Sequence, residues 1–195
     1  MFSSREVKNN VLLTIYQDSR TVFRLNDIAL LLGESNFVSL NKKLNYYVRK
    51  GQLGNPRKGI YAKPDYNQEE LACSIYTPCY ISLEYVLQKA GIIFQFDSRI
   101  TTISYLSRSI DIGGKTYFFR KIKGEILINT SGILRLDNQI NIASAERAFL
   151  DILYLNKEYY FDNLNVLNKR LVYKLLPLYS SNSLNARVKK QIQNV

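Results

Sequence analysis

The sequence predicts an α+β chain of two small domains, residues 1–63 and 64–195, and three observations carry that expectation. Helical apolar periodicity alternates with very short β-branched runs over the first third. Period-two runs around Gly113-Gly114 are clustered between helical patterns over the remainder, and the positive charge is concentrated in the first third. At 195 residues the chain is long enough for two small cores and too short for a large multidomain enzyme. With 46% hydrophobic and 22% charged residues it has the composition of a globular protein, which excludes collagenous and wholly disordered classes.

In the first domain Val7, Val11, Leu12, Ile15 and Tyr16 recur at helical spacing, predicting an amphipathic helix over Glu6 to Gln17. Thr21-Val22-Phe23 is β-branched and aromatic, one rung of a small sheet. Asn26 and Asp27 offer capping chemistry to a helix over Ile28 to Leu32, which Gly33 ends. After the turn Glu34-Ser35-Asn36, a third helix over Val38 to Lys50 puts Leu40, Leu44, Tyr47 and Val48 on one stripe, and Gly51 stops it. Its other face carries Ser39, Lys42, Lys43, Tyr46 and Arg49. Gln52 to Ala62 then reads as a hairpin whose tip holds Arg57 and Lys58. Helix, strand, helix, turn, helix, hairpin is the order of a winged helix-turn-helix.

The charge fits that order. The protein carries a net charge of +11, and residues 1–63 hold 11 basic against 4 acidic side chains. Val38 to Lys63 contains seven Lys and Arg and no Asp or Glu. Such a stretch repels itself unless a polyanion covers it, so double-stranded DNA is the expected partner. A third helix laid in the major groove presents Ser39, Lys42, Lys43, Asn45, Tyr46 and Arg49, while Arg57 and Lys58 reach the flanking backbone. Lys42 or Arg49 suits guanine and Asn45 suits adenine; spacing alone does not sort base readers from phosphate clamps.

In the second domain, Asn67 with Glu70 predicts a capping box for a helix through Ile75, and the Ser82 hydroxyl a cap for a helix over Ser82 to Ala90. Strands are expected over Thr101 to Leu106, Ser109 to Ile112, Lys115 to Ile122, Ile126 to Ile128 and Gln139 to Ile142, with Gly113-Gly114 as a two-residue hairpin. Helices follow from Ala143 to Asp151, Leu164 to Leu176 and Leu184 to Gln193. The result is a mixed α/β domain with a small sheet flanked by helices.

Enzyme chemistry is not expected. The chain has no His, which removes the usual general base, the commonest zinc ligand and every Ser/His or Cys/His pair. Cys73 and Cys79 are too few for a four-ligand metal site. No phosphate-loop pattern is present, and no acid of the second domain has Lys two residues later, so neither cofactor nor metal is anticipated. Glu146, Arg147 and Asp151 form the sharpest charged cluster there: they either bind a partner or substrate or make internal ion pairs that anchor the helix. Tyr117, Phe118 and Phe119 beside Arg120 and Lys121 offer either a core strand or a stacking face for single-stranded RNA. Neither a signal-peptide pattern nor a long apolar run is seen, so a cytoplasmic protein without membrane contact is expected.

Several segments resemble one family. They are Asn41 to Gly51, Gly59 to Lys63, Tyr80 to Leu87, Tyr117 to Ile122, and Ala-Ser-Ala-Glu-Arg-Ala-Phe-Leu-Asp over Ala143 to Asp151. Together they look like the AbiEi antitoxins of type IV toxin–antitoxin systems, which act in abortive infection and phage defence. The resemblance implies a non-enzymatic repressor whose winged helix-turn-helix binds inverted repeats in its own promoter. It also implies a C-terminal antitoxin domain that counteracts a nucleotidyltransferase-fold toxin without a stable complex. The DNA residues it carries over are Lys42, Lys43, Arg49, Arg57 and Lys58; Asn55-Pro56 in the wing departs from the pattern. One alternative is a winged-helix regulator whose second domain senses a ligand or oligomerises, with no toxin partner; a second is a nucleic-acid-modifying enzyme using Glu146 and Asp151.

Overall fold

The computed structural model describes residues 11–136 and 138–193. The chain divides into two compact units, Met1–Ser74 and Ile75–Val195. The division falls eleven residues beyond the expected one after Lys63. A carboxylate explains the difference. Glu70 Oε2 accepts from the Thr21 and Val22 backbone N–H groups at 2.6 and 3.0 Å and from the Thr21 hydroxyl at 3.0 Å, so the helix that carries it belongs with the first unit. The Asn67 half of the expected capping box is present, its Oδ1 accepting from Glu69 N at 2.7 Å and from Glu70 N at 3.4 Å, while the Glu70 carboxylate reaches across to Thr21 and Val22.

The first unit contains α1 (Val11–Gln17), β1 (Val22–Arg24), α2 (Leu25–Leu32), α3 (Phe37–Arg49), β2 (Gly54–Arg57), β3 (Ile60–Ala62) and most of α4 (Gln68–Ile75). The part of the first expected helix before Val11 lies outside the described residues. Three antiparallel strands form a sheet in the order β1-β3-β2, and the core gathers Val11, Ile15, Phe23, Ile28, Ala29, Leu40, Leu44, Leu53 and Tyr61. α2 starts three residues earlier than expected: Asp27 lies inside its first turn, where its carboxylate accepts from Arg24 N at 2.9 Å. An acid there also faces the positive end of the helix dipole. Pro56 lacks an N–H and sits on β2, an edge strand, where that loss is tolerated.

The second unit holds β4 (Cys79–Ile81), α5 (Glu84–Lys89), β5 (Ile100–Ser104), β6 (Arg108–Ile112), β7 (Lys115–Lys121), α6 (Gly124–Ile128), β8 (Ile133–Arg135), β9 (Asn141–Ala143), α7 (Ala145–Leu155), α8 (Lys169–Leu175) with a 3-10 turn over Leu176–Tyr179, and α9 (Asn182–Gln193). Its six-stranded sheet runs β6-β7-β5-β4-β9-β8, with β5–β7 and β4–β9 parallel and the other neighbours antiparallel. The β6–β7 turn is Gly113-Gly114 with Ile112 opposite Lys115, as expected; both glycines have positive φ, 56° and 77°, which a side chain would strain.

Two expectations are corrected here, one strand is added and one open alternative is decided. Ile126 to Ile128 is helical, because Ile126 and Leu127 are buried in α6 rather than lying on a strand face. β8 was absent from the sequence expectation. Ser82 does not cap α5: Leu83 holds the cap position at φ 61°, and the Ser82 hydroxyl donates to Asp151 instead. Tyr117 and Phe119 are fully buried, so of the two readings offered for this segment the core strand holds.

Candidate nucleic-acid interface

α3 is positioned by caps at both ends and by its core stripe. Asn36 Oδ1 accepts from Ser39 N at 3.0 Å at the start, and the chain leaves through Lys50 and Gly51. Leu40 and Leu44 are 1% and 0% exposed, and Tyr47 and Val48 pack beside them. At 3.6 residues per turn this stripe dictates the opposite face: Val38, Lys42, Asn45, Tyr46 and Arg49 are all exposed, and Ser39 is half-buried on its edge. A second tether is Tyr61 on β3, whose hydroxyl donates to Asn41 Oδ1 at 2.5 Å and lies 3.5 Å from Asn45 Oδ1. Burial raises the Tyr61 phenol above its ordinary pKa, so it stays a donor.

The expected DNA residues are not equivalent. Lys42 and Arg49 lie on the exposed face. Lys43 sits on the flank, 3.8 Å from Glu34, an exposed pair worth little. Asn45 has its oxygen turned toward Tyr61, which leaves its amide N–H groups for an acceptor. Tyr46 is 49% exposed and braced edge-on against Tyr47, with Lys50 Nζ 5.8 Å from its ring. At the hairpin, Arg57 faces Ile60 across the two-residue loop Lys58-Gly59, and Gly59 has φ 78°. Lys58 is exposed and Arg57 half-buried.

Two features were missed by sequence reasoning. Asn55, noted there only as a departure, donates through Nδ2 to Arg57 O at 2.9 Å and Ile60 O at 2.7 Å, clamping the hairpin tip. An Asn two residues before a turn is the available signal. The second is that other basic residues of this unit are held internally. Arg20 pairs with Asp18 at 2.7 Å, Arg24 Nε donates to Ser74 O, and Lys63 Nζ donates to Asp18 O at 2.6 Å. Among the described residues of this unit, the exposed cations are therefore Lys42, Lys43, Arg49, Lys50 and Lys58.

Glu146, Arg147 and Asp151 make a different arrangement. All three lie on α7, capped by Ser144. Arg147 and Asp151 are 0% exposed and 3.4 Å apart, Nε to Oδ1. Arg147 donates from Nη1 to Ser131 O and from Nη2 to the Tyr80 hydroxyl and Ile126 O, at 2.8–3.1 Å. Asp151 accepts from Ser82, Tyr179 and Tyr80 hydroxyls at 2.7, 2.6 and 3.2 Å. The guanidinium also lies 5.3 and 5.4 Å from the Tyr80 and Tyr179 ring centres. Burial pushes the Asp151 carboxyl up, and Arg147 and the three hydroxyls pull it back. Glu146 Oε1 accepts from Asn168 N at 3.1 Å. Arg147 and Asp151 face each other and bind α7 to β4, α6 and the 3-10 turn, Glu146 faces the start of α8, and all three are buried.

Among the described residues, no group of three or more His, Cys, Asp or Glu is placed to hold a metal ion, and no helix is long and apolar enough to cross a membrane. Neither a family model nor a curated protein matches the chain.

Proposed function

We propose that the first unit is a winged helix-turn-helix that binds double-stranded DNA, and that the protein is the antitoxin and autorepressor of a type IV toxin–antitoxin pair, with no enzymatic activity of its own. The observation that carries the DNA reading is the exposed face of α3, where Lys42 and Arg49 flank Asn45 and Tyr46 within a stretch lacking acids from Val38 to Lys63. In this reading α3 lies in the major groove and the Lys58-Gly59 tip follows the adjacent backbone, with Arg57 and Lys58 contacting phosphates. If about four to six phosphates are neutralised, log K against log salt falls with a slope of roughly −4 to −5. The antitoxin part rests on the resemblance of Tyr80 to Leu87, Tyr117 to Ile122 and Ala143 to Asp151 to the AbiEi family. The partner it implies is a nucleotidyltransferase-like toxin, counteracted without a stable complex in the cytoplasm.

The test is a gel shift on the DNA upstream of the gene, comparing the natural protein with Lys42→Ala/Arg49→Ala. Retarded DNA with the former and loss of retardation with the latter is the expected result; equal retardation sinks the assignment of α3. Co-expression with the product of the neighbouring gene tests the antitoxin reading. Rescue of growth is expected, and unrelieved or absent toxicity leaves only the regulator reading.

A further inference from the structure

The second unit contains a cavity of about 540 Å3 between α9 and the segment that follows α7. Two side chains of α9 fix its walls. Arg187 donates from Nη1 to Asn156 O at 3.1 Å, and Gln191 Nε2 donates to Tyr159 O at 3.2 Å. The lining carries three cations, Lys157, Arg187 and Lys190, against one acid, Glu158. α9 contributes no acid along its length, Asn182 to Gln193. Lys157 and Lys190 are exposed, so they are free to close on a ligand, and Arg187 is anchored. Arg187 also keeps its Nε buried with no hydrogen-bond acceptor. That nitrogen is closed to solvent, so Arg187 acts on an anion in the cavity through its charge rather than through a hydrogen bond from Nε.

The aromatic lining sharpens the ligand. Tyr160 is 80% exposed at the cavity, a large ring left in water where a flat partner is able to cover it. Tyr159 forms the adjoining wall, and burial, followed by Glu84, Asp97 and Asp162 nearby, raises its phenol to about 12, so it remains neutral. Three cations beside an exposed ring, in a cavity of ligand size, match a phosphate joined to an aromatic base. We propose that this cavity binds a nucleotide, with Lys157, Lys190 and Arg187 on the phosphate and Tyr160 stacked on the base. The same chemistry is met in a free nucleotide and at the phosphorylated end of a nucleic-acid strand. The proposal does not depend on α3.

The experiment uses the full chain carrying Lys42→Ala/Arg49→Ala, so that the α3 face does not contribute. Calorimetric titration compares ATP, inorganic phosphate, and a short oligouridylate with and without a 5′-phosphate. Saturable binding of ATP or of the phosphorylated strand is expected, weakened roughly tenfold by Tyr160→Ala and at least as much by Lys157→Ala/Lys190→Ala. Tighter binding of ATP identifies a free nucleotide, and tighter binding of the phosphorylated strand identifies a strand end. Both lysines and Tyr160 are exposed, and an unchanged melting curve separates lost binding from lost folding. The proposal is overturned if neither probe saturates, or if the cavity variants bind as the parent does. Inorganic phosphate binding as tightly as ATP, with no effect of Tyr160→Ala, likewise overturns it. Failure here leaves the gel-shift outcome for α3 untouched.

Discussion

Two groups of charge, drawn from the same residue types, have opposite environments. Lys42 and Arg49 stand on the outer face of α3 in water, whereas Arg147 and Asp151 are 0% exposed inside the second unit. The exposed cations retain their hydration and contribute little to folding, so they remain available to a polyanion. The buried pair has lost its hydration, and its guanidinium and carboxylate depend on each other and on Tyr80, Ser82 and Tyr179. The difference teaches that charge pattern alone does not mark a functional site. What separates the two groups is whether solvent, or a neighbouring side chain, faces the charge.

The largest effect is expected from removing one half of the buried pair. Arg147→Ala leaves Asp151 buried without its cation and should lower stability by about 3–5 kcal/mol, read as a fall in the urea midpoint. A loss below 1 kcal/mol would show that the network is not the anchor of α7. Leu44→Ala comes next, because it opens a cavity beneath α3; a loss of about 2–5 kcal/mol is expected, and the proposed DNA binding should weaken with it. Lys42→Ala/Arg49→Ala inverts the pattern. Stability should change by less than about 0.5 kcal/mol, while the salt dependence of DNA binding should shallow by about 2 units of slope. A stability loss comparable to that of Arg147→Ala would erase the contrast.

The smallest effect concerns acid. Hydrogen bonds from Arg20, first through its side chain, hold the Asp18 carboxyl below the usual range, against a smaller opposing effect of burial. A depressed carboxylate stabilises the fold above its unfolded pKa, and that contribution is lost as pH falls through the folded value. Asp18→Asn should therefore flatten stability between about pH 5 and the folded pKa, by roughly 0.5–1.5 kcal/mol for a half-buried, hydrogen-bonded pair. An unchanged acid limb would remove Asp18 from the accounting.

Much of the first unit was legible. The apolar stripe of α3 placed its ends within one residue, and the glycine-bearing hairpin was expected where it occurs. What failed did so for tertiary reasons. Ile126 to Ile128 has strand composition, yet the burial of Ile126 and Leu127 is met in a helical turn. Ser82 and Glu70 have good capping chemistry, yet their partners are Asp151, 69 residues away, and Thr21, 49 residues away. Among the site residues the exposed face of α3 was readable from period and charge. The internal capture of Arg20, Arg24 and Lys63, and the cavity beside α9, were not.

The amino-acid order by itself determined where charge accumulates, which residues share a helix face and where turns need glycine, because these are short-range or additive properties of the chain. Only the tertiary structure decided which charges keep their water. Solvation depends on groups brought together from distant positions, and no local pattern shows that Asp151 will meet Tyr80 and Tyr179.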